Sequence, residues 1–231
     1  MVDKSNPIFI KGEANLKFKV ENSEDGVGYL SKNESKIGLV LISEWWGLNK
    51  SIVTTAEIFA KNGFKVLVPD VYRGQIAEDR EHAGHLLSGL NFKQAVADIL
   101  GGVAYLKSNG CERVSVTGFC MGGALALAAA SSTDTIHSVI PFYGVPDQSY
   151  FPVENIKCPV LMHVGSKDDL KGFSDPEHCK ATKEKAEKAG VKFELIIWEG
   201  AQHAFFNQDS ERFSKETQEK SLEKTLEFLK N

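Results

Sequence analysis

One cysteine stands between two glycines in Ser115-Val116-Thr117-Gly118-Phe119-Cys120-Met121-Gly122-Gly123-Ala124, where a short apolar run gives way to small helix-forming residues. Gly118, Cys120 and Gly122 match the pattern glycine-x-nucleophile-x-glycine, in which a sharp strand-to-helix turn presents the nucleophile. Side chains at the two glycines would collide with the neighbouring strand and helix as the turn closes. A thiol so placed lies at a helix N-terminus, where unpaired N–H groups and the helix dipole favour its thiolate. The next N–H, that of Met121, would face a developing oxyanion, so the expected chemistry is acyl transfer.

Two other readings compete for the same stretch. A cysteine opening an Ala/Leu helix can be a small apolar filler. Thr117-Gly118-x-x-x-Gly122-Gly123 also resembles the glycine-rich turn of dinucleotide-binding reductases. That fingerprint belongs to the first strand of its fold, whereas several strands precede it here, and none of the five tyrosines begins a Tyr-x-x-x-Lys pair.

A cysteine nucleophile on such a sheet needs an acid and then a histidine further along the chain. The apolar run Val160 to Val164 ends in Gly165-Ser166-Lys167-Asp168-Asp169, and the run ending at Trp198 leads into Glu199-Gly200-Ala201-Gln202-His203-Ala204-Phe205. Asp168 and His203 are therefore expected at strand ends, with Asp169 the alternative acid. His203 would activate Cys120 and later a water, while Asp168 would orient the ring. His82 and His85 lie three apart with no third metal ligand, and His137, His163 and His178 have no site context.

These residues must be held by a particular arrangement of elements. Apolar runs at Ile37 to Ile42, Val66 to Val68, Val114 to Val116, Val139 to Phe142, Val160 to Val164 and Leu195 to Trp198 suit strands buried on both faces. Helical periodicity occupies about Ser51 to Lys61, Glu78 to Leu87, Phe92 to Lys107, Gly122 to Ala130, Pro176 to Ala189 and Glu211 to Leu229. Ser174 with Glu177 fits a capping box, and Gly190 is placed to end that helix. Alternation at Leu16, Phe18 and Val20, a turn through Asn22 to Gly26, and resumption at Val27 and Tyr29 predict antiparallel strands at one sheet edge. The whole is an α/β fold: a mostly parallel sheet with helices on both faces, read as a single domain over residues 1–231.

Composition narrows the function classes. The 231 residues are 42% hydrophobic and 25% charged, as in ordinary globular proteins, and the formal net charge of −4 without a free basic run argues against nucleic acid as partner. Met1 to Lys11 carries no apolar leader, and no run approaches the ~20 apolar residues of a membrane span, so a cytoplasmic protein with no membrane partner is expected. The four cysteines lack metal-site spacing and are expected as free thiols, with neither metal nor cofactor required.

Taken with their order, these motifs resemble the dienelactone hydrolase family of the α/β-hydrolase fold, the cysteine-using group that includes carboxymethylenebutenolidase. Gly118 to Ala124 looks like its nucleophile elbow and Glu199 to Phe205 like its histidine loop. Glu44-Trp45-Trp46-Gly47-Leu48-Asn49 occupies the place of its Glu-x-x-Gly-x-Asn motif, and Pro69-Asp70-Val71-Tyr72 matches a downstream Pro-Asp-x-Tyr. The resemblance runs from about residue 36 to the C-terminus. It implies that Glu44 contacts the resting thiol and that the Trp45 N–H joins Met121 as oxyanion donor. It also implies that Arg80 helps hold a substrate carboxylate. Asn207 stands where the family's second arginine is expected, replacing a charged bidentate grip with at most one neutral hydrogen bond.

A thiolate tends to leave a tetrahedral intermediate before an amine or simple alkoxide, so a cysteine nucleophile suits activated acyl groups. The resulting expectation is a hydrolase of a small activated ester or enol-lactone, working as a monomer or small homo-oligomer. A thioesterase or general carboxylesterase on the same residues, and a non-catalytic binding member of the fold, are the alternatives.

Overall fold

The computed structural model describes residues 13–231; the stretch Met1 to Lys11, read as carrying no apolar leader, lies outside the described residues. Eight strands form one sheet in the order β1-β2-β4-β3-β5-β6-β7-β8. They are β1 (Leu16–Phe18), β2 (Gly26–Leu30), β3 (Ile37–Ile42), β4 (Lys65–Pro69), β5 (Arg113–Phe119), β6 (Val139–Phe142), β7 (Val160–Gly165) and β8 (Phe193–Trp198). β1 and β2 pair antiparallel, as does β2 with β4, while every pairing from β4 through β8 is parallel. This is the mostly parallel α/β-hydrolase sheet with an antiparallel N-terminal edge.

Six α-helices among the described residues cover the sheet: α1 (Lys50–Lys61), α2 (Arg80–Ser88), α3 (Phe92–Ser108), α4 (Met121–Ser131), α5 (Pro176–Lys188) and α6 (Lys215–Lys230). Alternation along β3 sends Val40 and Ile42 to a core shared with α3, α4 and α5, and Leu39 and Leu41 to a core shared with α1 and α6. Continuous apolar runs are what a strand needs when both faces are covered.

The cap of α5 and the start of α6 differ from the sequence expectation. α5 is capped by Asp175, whose carboxylate accepts the His178 N–H at 3.2 Å, so Ser174 is left free for another bond. α6 begins at Lys215 rather than Glu211, because Ser214 takes the cap and accepts the Thr217 N–H. In each case two polar residues near the start compete for one capping position, and tertiary placement decides.

Candidate active site

β5 runs three residues beyond its apolar centre and stops at Phe119; α4 starts at Met121. Cys120 alone makes the turn, at φ 55° and ψ −117°, a backbone conformation that side chains seldom adopt. A Cβ on Gly118 would sit 2.3 Å from the Gly122 carbonyl oxygen, and one on Gly122 would meet the carbonyls of Ile42 and Ser43 at 2.5 Å. Glycine at both positions is what lets β3, β5 and α4 approach closely enough to aim the thiol outward.

The loops after β7 and β8 are tied together by their backbones: Ser166 N–H donates to the Trp198 carbonyl and Lys167 N–H to that of Ala201, each at 2.9 Å. This carries Asp168 to His203, whose Nδ1 lies 2.8 Å from Asp168 Oδ2, while Nε2 lies 3.1 Å from Cys120 Sγ. With Nδ1–H donating to the carboxylate, Nε2 is the acceptor and the thiol donates to it. Asp168 is 4% exposed and His203 8% exposed. Asp169 instead points to solvent and pairs with Arg212 at 3.4 Å, which resolves the geometry of the two adjacent acids.

The thiol's acidity differs from the helix-terminus expectation. Burial pushes the Cys120 thiol far above the ordinary cysteine range, and the negative charges of Glu44 and Asp168 push the same way. The Met121 N–H opposes them without reversing the shift. A local dipole worth about 1 kcal/mol cannot offset the desolvation of an anion in a closed site. The direction of the shift favours the protonated thiol.

Glu44 follows β3 and is 7% exposed. Its carboxylate accepts the Tyr143 hydroxyl at 3.2 Å and the Asn207 amide at 2.5 Å, and no hydrogen bond joins it to Sγ, which faces His203 instead. Burial lifts its pKa above the usual carboxylate range, against the lowering effects of Asn207, His203 and Tyr143. The Trp45 N–H donates to no backbone carbonyl among the described residues. Trp45 and Trp46 are half-buried and meet edge to face at 5.4 Å. Arg80 lies exposed in the first turn of α2 and forms no ion pair among the described residues. A cavity of about 270 Å³ opens beside Glu44 between Trp46, Phe119, Tyr143 and Asn207, and neither Cys120 nor His203 lines it.

Two contributors were not singled out from the sequence. Tyr143, fully buried at φ 35°, packs edge-on against His203 at 5.0 Å and donates to Glu44. It directly follows the carboxyl end of β6, the strand-end signal that located the other residues. Ser174, assigned by its spacing to a helix cap, meets both Asp168 and His203.

The Dienelactone hydrolase family model matches residues 25–231. "Protein usf" of Aquifex pyrophilus is 32% identical over 83% of this chain and 88% of its own. The carboxymethylenebutenolidase of Pseudomonas putida is 24% identical, with 83% of this chain and 84% of the relative covered. Among solved structures, a dienelactone hydrolase-like promiscuous phosphotriesterase from metagenomic libraries superposes with a TM-score of 0.79 at 19% identity, covering 95% and 98% of the two chains. A family match over nearly the whole described chain, on an eight-stranded sheet of this topology, makes the protein a member of the dienelactone hydrolase family and a hydrolase acting on ester bonds.

Proposed function

We propose that the protein hydrolyses a small activated ester or enol-lactone through a Cys-His-Asp triad. The observation that carries this reading is the unbroken chain from Cys120 Sγ through His203 to Asp168, with contacts of 3.1 and 2.8 Å. As Sγ attacks the acyl carbon, the thiol proton passes to His203 Nε2, and Asp168 stabilises the resulting imidazolium through Nδ1–H. The Met121 and Trp45 N–H groups hold the oxyanion. Collapse breaks the bond to the leaving oxygen, which takes the proton from Nε2 and departs as an enol or alcohol. Water then adds to the thioester with His203 as base, releasing the acid and restoring the thiol.

Burial, reinforced by the Glu44 charge, keeps the free enzyme's sulfur protonated, so the nucleophile is generated only when an acyl group is present to be attacked. Asn207 supports a substrate held without a second guanidinium, since its amide is already engaged by Glu44. Arg80 is the remaining cation assigned to a substrate carboxylate.

Steady-state hydrolysis of dienelactone and of p-nitrophenyl acetate, with Cys120→Ala as the control, tests the reading. Turnover of either that disappears in the variant is the expected result. Dienelactone turnover supports the carboxylate-bearing lactone, and acetate turnover alone moves the substrate to neutral activated esters. Undiminished turnover by Cys120→Ala would overturn the triad.

A further inference from the structure

We infer that Ser174 is a positioning residue of the catalytic apparatus, acting on His203 through and beside Asp168. This rests on the Cys-His-Asp reading above. Ser174 is fully buried, and its hydroxyl lies 2.9 Å from Asp168 Oδ1 and 3.1 Å from His203 Nδ1. The hydroxyl has one proton, which it donates to Oδ1; its lone pairs then face the Nδ1–H that also donates to Oδ2 at 2.8 Å. The imidazole proton is therefore shared between a carboxylate oxygen and a hydroxyl oxygen. When Nε2 takes the thiol proton, both acceptors face the new positive charge, and the ring is fixed against rotation by two contacts rather than one.

The loop is built to deliver this hydroxyl. Asp168 Oδ1 also accepts the Leu170 N–H at 3.2 Å, and the N–H groups of Phe173, Ser174 and Asp175 all turn back to the Leu170 carbonyl within 3.2 Å. Asp175 takes the cap of α5 and accepts the Gly172 N–H at 2.7 Å, which relieves Ser174 of the capping duty its spacing suggests. A buried serine whose nearest helix is capped by its neighbour, and whose hydroxyl meets the two groups that set a base's tautomer, is placed for orientation.

The experiment is a double-mutant cycle on the purified 231-residue chain, using Ser174→Ala and Asp168→Asn with an activated ester. Ser174→Ala is expected to lower kcat about tenfold with KM within about twofold, as loss of a hydrogen bond to a charged group in the transition state would. In the Asp168→Asn background the same change should cost less than about twofold, because the tautomer it supports is already lost. Ser174→Gly removes the same hydroxyl and should lose the same factor while both variants keep wild-type circular dichroism. Full kcat in Ser174→Ala, when Cys120→Ala is inactive, would overturn this inference and leave the triad standing. An equal loss in both backgrounds, or unequal losses for Ala and Gly, would overturn it too, by assigning the effect to packing. Activity surviving in Cys120→Ala would instead remove the reading on which the inference rests.

Discussion

Glu44 and Asp168 are both carboxylates just beyond a buried strand, at 7% and 4% exposure, on either side of the Cys120–His203 pair. Their surroundings differ in kind. Glu44 is held by a phenol and a primary amide, neutral groups that satisfy its oxygens without offering a proton carrier. Asp168 is held by an imidazole, a serine hydroxyl and a backbone N–H, so its charge is coupled to a base that can gain a proton. Burial depth is nearly the same in the two places, and on the triad proposed above the identity of the donors divides the roles: Asp168 would orient the base, and Glu44 would bear on the nucleophile.

The largest effect should come from removing the charge on the Asp168 side. Asp168→Asn is expected to cut kcat by about three to four orders of magnitude, because an amide lets the ring adopt the wrong tautomer. Asp169→Asn breaks only an exposed contact with Arg212 and should stay within about twofold. Near-equal losses in the two variants would show that the buried acid is not the orienting one.

On the Glu44 side the expected change runs the other way. Glu44→Gln removes a negative charge that raises the thiol's pKa, so alkylation of Cys120 by iodoacetamide at neutral pH should quicken by about three- to tenfold. An unchanged rate would mean that burial alone holds the proton on sulfur. The same variant carries a stability signature. The folded-state pKa of Glu44 is raised, so its contribution is fully present below the unfolded value of about 4.3 and is lost as pH rises through the folded value. Urea unfolding should show Glu44→Gln gaining on the wild type between pH 4 and pH 7, an interval chosen to span the ordinary carboxylate range. A difference independent of pH would contradict the shift. Smallest of all, Tyr143→Phe removes one of Glu44's two side-chain donors and should cost about 1 kcal/mol in the same unfolding assay, with no loss if water replaces the phenol.

The parts of this site that were legible in the sequence share a simple property: each follows an apolar run that could only be a buried strand. Cys120, His203 and the Asp168-Asp169 pair were found in this way, and so was the order of parallel strands that gathers them. What local pattern could not resolve was competition between neighbours. Ser174 and Asp175 are both capping residues, and only the fold of the loop on Leu170 reveals that aspartate takes the helix and serine turns inward. Asp169 likewise stood beside Asp168 as the alternative acid, and local pattern does not show that its side chain turns to Arg212 instead. The thiol's acidity turns on more than the helix terminus visible in the sequence: burial, with the charges of Glu44 and Asp168, pushes its pKa up against the Met121 N–H. Tyr143 was overlooked although it obeys the strand-end rule, since a tyrosine after Phe142 resembles ordinary core.

The left-handed backbone at Cys120 also sets the terms of a trade. A non-glycine residue held at φ 55° and ψ −117° stores about 1–3 kcal/mol that a glycine would release. Substitution by glycine at 120 would thus relax the elbow while abolishing the sulfur, giving a sturdier molecule with nothing to react. Directed evolution for heat tolerance alone has a downhill path at this position, and any stabilisation campaign on this chain must screen for turnover at every round.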